Sequence, residues 1–192
     1  MFACAERAKD HWGKTRERPR ERAFGIRLKG LGELLSKNHR VAIESLQEAL
    51  RLFLTLQRNH RDVLWTLNDL AFAESQSGDL DSAERDYCEA LRIAREIENP
   101  DGTAVAMTNL ASLRCKRADW TGAERLGQEA LASSTKIGRS EYIARSSFIL
   151  AGALARQGKK AEALPHAERA IEIYSALCSP DLEAARATLR EC

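Results

Sequence analysis

The triplet Gly13-Lys14-Thr15 invites a test for phosphate chemistry. A phosphate-binding loop needs a glycine five residues before the Gly-Lys pair and a strand leading into it. Position 8 is Ala8, and the preceding residues read as helix, so nucleotide binding is not expected. No HExxH, GxSxG or paired-carboxylate constellation occurs, and Cys88 and His166 are too isolated to form a catalytic pair. The five cysteines (Cys4, Cys88, Cys115, Cys178, Cys192) are odd in number and contain no CxxC. The four histidines (His11, His39, His60, His166) do not fall at ligand spacing beside them. The expectation is a chain with no catalytic centre, no cofactor, no metal and reduced thiols. The basic run Lys14–Arg22 is interleaved with Glu17 and Glu21 and has Trp12 nearby to stack. It therefore reads as a solvated loop in preference to a nucleic-acid contact.

The elements that carry these residues are helical. Aromatics make up 6% and charged residues 30% of 192 residues, with four prolines, which fits an all-helical protein with one sizeable core. No apolar run nears the roughly 20 residues a membrane helix requires. The first residues lack the apolar core of a secretion signal, so a cytoplasmic location is expected. Residues 1–40 hold eleven Lys/Arg against five Asp/Glu, while the whole chain carries +2.

Self-similarity at a 40-residue shift organises the chain. Leu70-Ala71 returns as Leu110-Ala111 and Leu150-Ala151; Ala83 as Ala123 and Ala163; Ala90-Leu91 as Ala130-Leu131 and Ala170-Ile171. Gly78 returns as Ala118 and Gly158. A fixed period in this range marks a solenoid of helical hairpins. Ten helices and no strand are expected: 3–16, 21–36, 40–58, 62–77, 80–97, 102–117, 120–137, 140–157, 160–177 and a final one to about 190. Pro19 is expected to set a turn, and Asn38 to take a left-handed conformation. Pro100 is expected to stop the helix before it, with Asp101 capping the next. At Ala118, Asp119 is expected to take the unusual conformation that glycine takes elsewhere.

Leu-Ala, then Gly seven residues later, then Ala, Tyr87 and Ala-Leu, resembles the tetratricopeptide repeat. The resemblance covers 62–98, 102–138 and 140–177 as repeats, 21–58 as a degenerate repeat, 3–16 as a half repeat and 180–190 as a capping helix. It implies a right-handed superhelical solenoid of antiparallel hairpins, in which first helices line a concave face. The 40–41-residue period looks like kinesin light chains, the LGN and Rap adaptors and the sensor arrays of bacterial signalling ATPases. The mid-repeat start leads to the expectation of a piece of a longer protein, with self-association possible through the exposed repeat end.

On the first helices, helical spacing places Trp65, Asn68, Asp69, Phe72 and Gln76 on an exposed inner stripe. The same stripe carries Thr108, Asn109, Ser112 and Lys116, and then Arg145, Phe148, Ile149 and Arg156. Aromatics, amides and cations together suit a peptide or protein segment. The expected function is a non-enzymatic protein-interaction scaffold. The alternatives are a sensor array in a multidomain signalling ATPase or transcription regulator and, less supported, a nucleic-acid-binding helical repeat.

Overall fold

A computed structural model of the chain describes residues 18–56 and 61–192. The helix expected over 3–16, the Gly-Lys-Thr triplet and the link at 59–60 lie outside the described residues. Among those described there are nine helices and no strand. The chain divides into two compact units between Glu98 and Asn99.

The first unit contains α1 (Pro19–Leu35), α2 (His39–Leu56), α3 (Arg61–Ser77) and α4 (Leu80–Glu96). Helices α1 and α2 form one hairpin, α3 and α4 the next, and α3 packs on α2. Ala42, Leu46, Leu70 and Ala73 make a buried cluster, with Leu34, Ile43 and Leu50 around it. The alanines admit close helix approach, and each buried leucine contributes about 1.5–3 kcal/mol. A Cβ on Gly30 would stand 2.8 Å from Leu46 Cγ, so glycine is required where α1 crosses α2.

The second unit contains α5 (Pro100–Lys116), α6 (Trp120–Ile137), α7 (Ser140–Arg156), α8 (Lys160–Ala176) and α9 (Leu182–Glu191). Here α5–α6 and α7–α8 are hairpins, and α9 packs on α7 and α8. The repeated residues of the sequence are the seam in both units: Ala71, Ala83, Ala90, Ala111, Ala123, Ala130, Ala151, Ala163 and Ala170 are all fully buried.

The turns close by one device. Each hairpin has a residue with positive φ, followed by a backbone N–H that reaches five residues back. Asn38 donates to the Glu33 carbonyl at 2.9 Å, Asp79 to Glu74 at 3.0 Å, Asp119 to Arg114 at 2.9 Å and Lys159 to Leu154 at 3.0 Å. The left-handed residue is Lys37, not Asn38, and Ala118 itself, not Asp119. Both corrections have the same cause: the bond just described fixes the conformation by position, whatever residue stands there. Asp119 instead caps α6 by accepting from Gly122 N at 2.9 Å.

Two prolines open helices. Pro100 begins α5, and the helix before it ends at Glu96 as expected; Pro19 begins α1 instead of setting a turn. The first turn has no use for the missing N–H, and proline's fixed φ suits it. Asn99, not Asp101, caps α5, accepting from Gly102 N at 2.8 Å. Among the described residues, no helix is long and apolar enough to cross a membrane.

Candidate functional site

The 40-residue register aligns the first helices in sequence as rows. One row is Phe72, Ser112 and Gly152; another is Asp69, Asn109 and Ile149; a third is Gln76, Lys116 and Arg156. Within the second unit these rows frame a groove of about 350 Å³. From α5 come Ser112, Cys115 and Lys116; from α7, Phe148, Ile149, Gly152 and Arg156. Trp120 at the start of α6, and Thr188 and Glu191 of α9, complete it.

The groove exists because side chains are missing. A Cβ built on Gly152 meets nothing within 4 Å, and Ser112 is small. In the first unit the same row carries Phe72, 38% exposed.

Charge is concentrated at Arg156 and Lys116. The Arg156 guanidinium lies 5.9 Å from the Trp120 ring centroid, a cation–π arrangement. Its Nε is 3.5 Å from Glu191 Oε2, and both side chains are more than half exposed, so the ion pair is weak. Burial pushes the Lys116 ammonium below its ordinary value. Burial also pushes the Cys115 thiol up to about 11, which keeps it protonated and a poor nucleophile. The groove can therefore hold an apolar group against Trp120, Phe148 and Ile149, with cations at hand for a carboxylate.

Five of the residues expected from the sequence meet here: Ser112, Lys116, Phe148, Ile149 and Arg156. Arg145 instead lines a second hollow of about 470 Å³, with Tyr142, Tyr174 and the Ser179–Asp181 link. Tyr174 is buried there edge-on to Phe148, at 6.4 Å between ring centroids. Burial leads in pushing its phenol up to about 12, helped by Asp181 and opposed by Arg145.

The exposed stripe is corrected at four positions, since Asn68, Thr108, Asn109 and Ile149 are buried. Thr108 Oγ1 donates to the Ala104 carbonyl at 2.7 Å and stands 3.0 Å from Ser146 Oγ. Asn68 Nδ2 donates to the Leu64 carbonyl at 3.2 Å. A first helix packs on several neighbours at once, so its solvent-facing strip is narrower than helical spacing suggests.

In the first unit, Phe72 and Gln76 are exposed, and Trp65 is half-buried. Asp69 is engaged internally by Arg27 of α1, whose Nε lies 2.7 Å from its Oδ2. Arg20, from the basic run, is likewise bonded to Asp62 at 2.6 Å.

Sequence reasoning missed Cys115, Trp120, Gly152, Thr188 and Glu191. Gly152 was detectable as the glycine in Phe72's register. Trp120 lies on a second helix, outside the stripe. Among the described residues, no group of three or more His, Cys, Asp or Glu could hold a metal ion.

Comparison with known proteins follows the same lines. The family profile described as the tetratricopeptide repeat matches residues 26–96 and 102–176. No curated protein matches the chain. Among solved structures, BtubC (BKLC) from P. vanneervenii superposes with a TM-score of 0.80 at 20% identity, over 91% of this chain and 72% of that one. A Rap protein solved in complex with competence and sporulation factor gives 0.81 at 17% identity. That match covers 91% of this chain but 48% of the Rap protein, so the chain spans about half its length. A kinesin light chain of Podosopora anserina, described as having nearly identical TPR-like repeats, gives 0.73 at 20% identity, over 92% of this chain and 87% of that one. At these identities the likeness is one of fold.

Proposed function

The chain belongs to the tetratricopeptide-repeat family, and from that premise we propose that it is a protein-interaction scaffold, without catalysis of its own. In this reading it binds a peptide segment in the groove framed by α5, α7 and α9. The observation that carries the proposal is the row Phe72, Ser112, Gly152: the large side chain of one repeat is absent from the next two. An open apolar hollow beside Lys116 and Arg156 results. The chemistry favours a segment that presents one large apolar side chain next to a carboxylate.

A peptide-responsive regulatory array is the second reading. It draws on the Rap protein solved with competence and sporulation factor and on the Rap conjugation gene regulator of plasmid pLS20 solved with the Phr* peptide. Both readings use the same groove. They differ in whether occupancy alters hydrogen exchange far from it. A nucleic-acid role has less support, because Glu17 and Glu21 interrupt the basic run.

The test is selection of peptides displayed on phage against the full chain, followed by fluorescence anisotropy of the selected, labelled peptides. Binding should fall at least about tenfold in Gly152→Phe and in Arg156→Glu. Peptides that bind all three proteins equally would place recognition elsewhere.

A further inference from the structure

Glu74 of α3 is 6% exposed, and its Oε2 is buried with no hydrogen-bond partner. An orphaned carboxylate oxygen in that position is costly when charged. Its surroundings make the cost larger. Asp79 in the turn and Asp86 on α4 both repel a negative charge there, and Arg85 on α4 offsets them in part. The Arg85 guanidinium donates to Ser82 Oγ at 2.7 Å rather than to Glu74.

The charges that act on this carboxyl come from the turn and α4. The α2 side chains packed against α3 include Ala42, Ile43, Leu46 and Leu50, all apolar. From α1, Arg20 and Arg27 are bonded to Asp62 and Asp69, and Glu33 accepts from Asn38 at 3.2 Å.

Internal repetition provides the control. Forty residues on, Glu74 becomes Arg114, whose Nη1 lies 3.5 Å from Asp119, the counterpart of Asp79. Forty further on it becomes Leu154, buried with Leu150 and Ala163. All four turns close with the same backbone bond, on the carbonyl of Glu33, Glu74, Arg114 or Leu154, so the bond itself does not depend on an acid at this position. In the first unit that bond runs from Asp79 N to the carbonyl of Glu74 itself. Charge on the carboxyl therefore acts on the residue that closes the turn.

We propose that Glu74 is a proton-binding site that couples the α3–α4 turn to pH: the neutral acid fits the closed hairpin, and its carboxylate loosens it. The proton comes from solvent and no other reactant is needed. Burial, then Asp86 and Asp79, pushes this carboxyl from 4.5 to about 7, and burial also pushes Asp86 up. Between pH 4.5 and about 7 the folded chain holds a proton that the unfolded chain has released. Stability of the hairpin therefore falls as pH rises through that window. Below it both states are protonated, and above it the full penalty applies.

Two measurements on the full chain test this. Carbon-13 NMR of the side-chain carboxyls, with the Glu74 signal assigned by its loss in Glu74→Gln, should show a midpoint near 7; a midpoint near 4.5 overturns the proposal. Hydrogen exchange of the α3–α4 amides, corrected for intrinsic rates, should show opening that rises roughly tenfold or more from pH 5 to pH 8. Most of that rise should be lost in Glu74→Gln and in Glu74→Leu, the residue type of the third repeat. An unchanged rise in both variants overturns it as well.

Discussion

Arg27 Nη2 lies 2.6 Å from Asp69 Oδ2, joining α1 to α3 by a pair in which each side chain is only about a fifth exposed. Burial outweighs Arg27 at Asp69, whose carboxyl is pushed above its ordinary value. The pair is therefore costly to form and more costly to break. Asp69→Ala, which strands a largely buried guanidinium, should lose about 3 kcal/mol in urea denaturation. The double variant Arg27→Leu/Asp69→Leu should match or exceed the parent. A double variant less stable than Asp69→Ala would contradict this account.

Ala118 holds φ +57 in the α5–α6 turn, where the neighbouring repeats use Gly78 and Gly158. A Cβ in the left-handed region costs roughly 1–2 kcal/mol. Ala118→Gly should stabilise the second unit by about 1 kcal/mol, with the gain offset slightly by added freedom in the unfolded chain. Thermal denaturation checks it, and a lowered midpoint would show that the turn stores no such strain.

These two positions also show what a sequence discloses. The hairpins were legible because Leu70, Ala71, Ala83, Ala90 and their copies are chosen by packing, and packing repeats with the chain. The identity of the left-handed residue was not, because the turn's hydrogen bonds impose it even on Lys37 and Ala118. The site was partly legible. Spacing found the face that carries Ser112, Lys116, Phe148 and Arg156, but could not tell that Thr108 and Asn109 are buried on its edge. Gly152 was passed over because its contribution is an absence of side chain, which carries no chemistry of its own.

Gly152 separates stability from recognition. Glycine inside a helix costs about 0.5–1 kcal/mol relative to alanine, and the space beyond its Cβ is open. Gly152→Ala should therefore stabilise the second unit by about that amount and leave much of the groove vacant. Gly152→Phe should fold equally well and fill it, reproducing the row position held by Phe72. Circular dichroism melts set beside peptide anisotropy would distinguish the two effects. A destabilised Gly152→Ala would mean that the close approach of a neighbouring chain, not an open groove, explains the glycine.

Glu124 gives the second unit a pH response of the opposite sign to that of Glu74. Its Oε2 accepts from Lys159 Nζ at 2.7 Å and from Gln157 Nε2 at 2.8 Å, tying α6 to the α7–α8 turn. Those hydrogen bonds, Lys159's first, hold the carboxyl below its ordinary value. A depressed acid contributes stability above its unfolded value of 4.5, and that contribution is lost as pH falls through the lower folded value. Glu124→Gln should therefore weaken protection of the α7–α8 amides at pH 7, with the difference from the parent shrinking below pH 4.5. Hydrogen exchange read separately for the two turns should then show α7–α8 tightening as pH rises to about 4.5 and α3–α4 loosening from there to about 7. Parallel slopes at the two turns would refute the assignment of either acid.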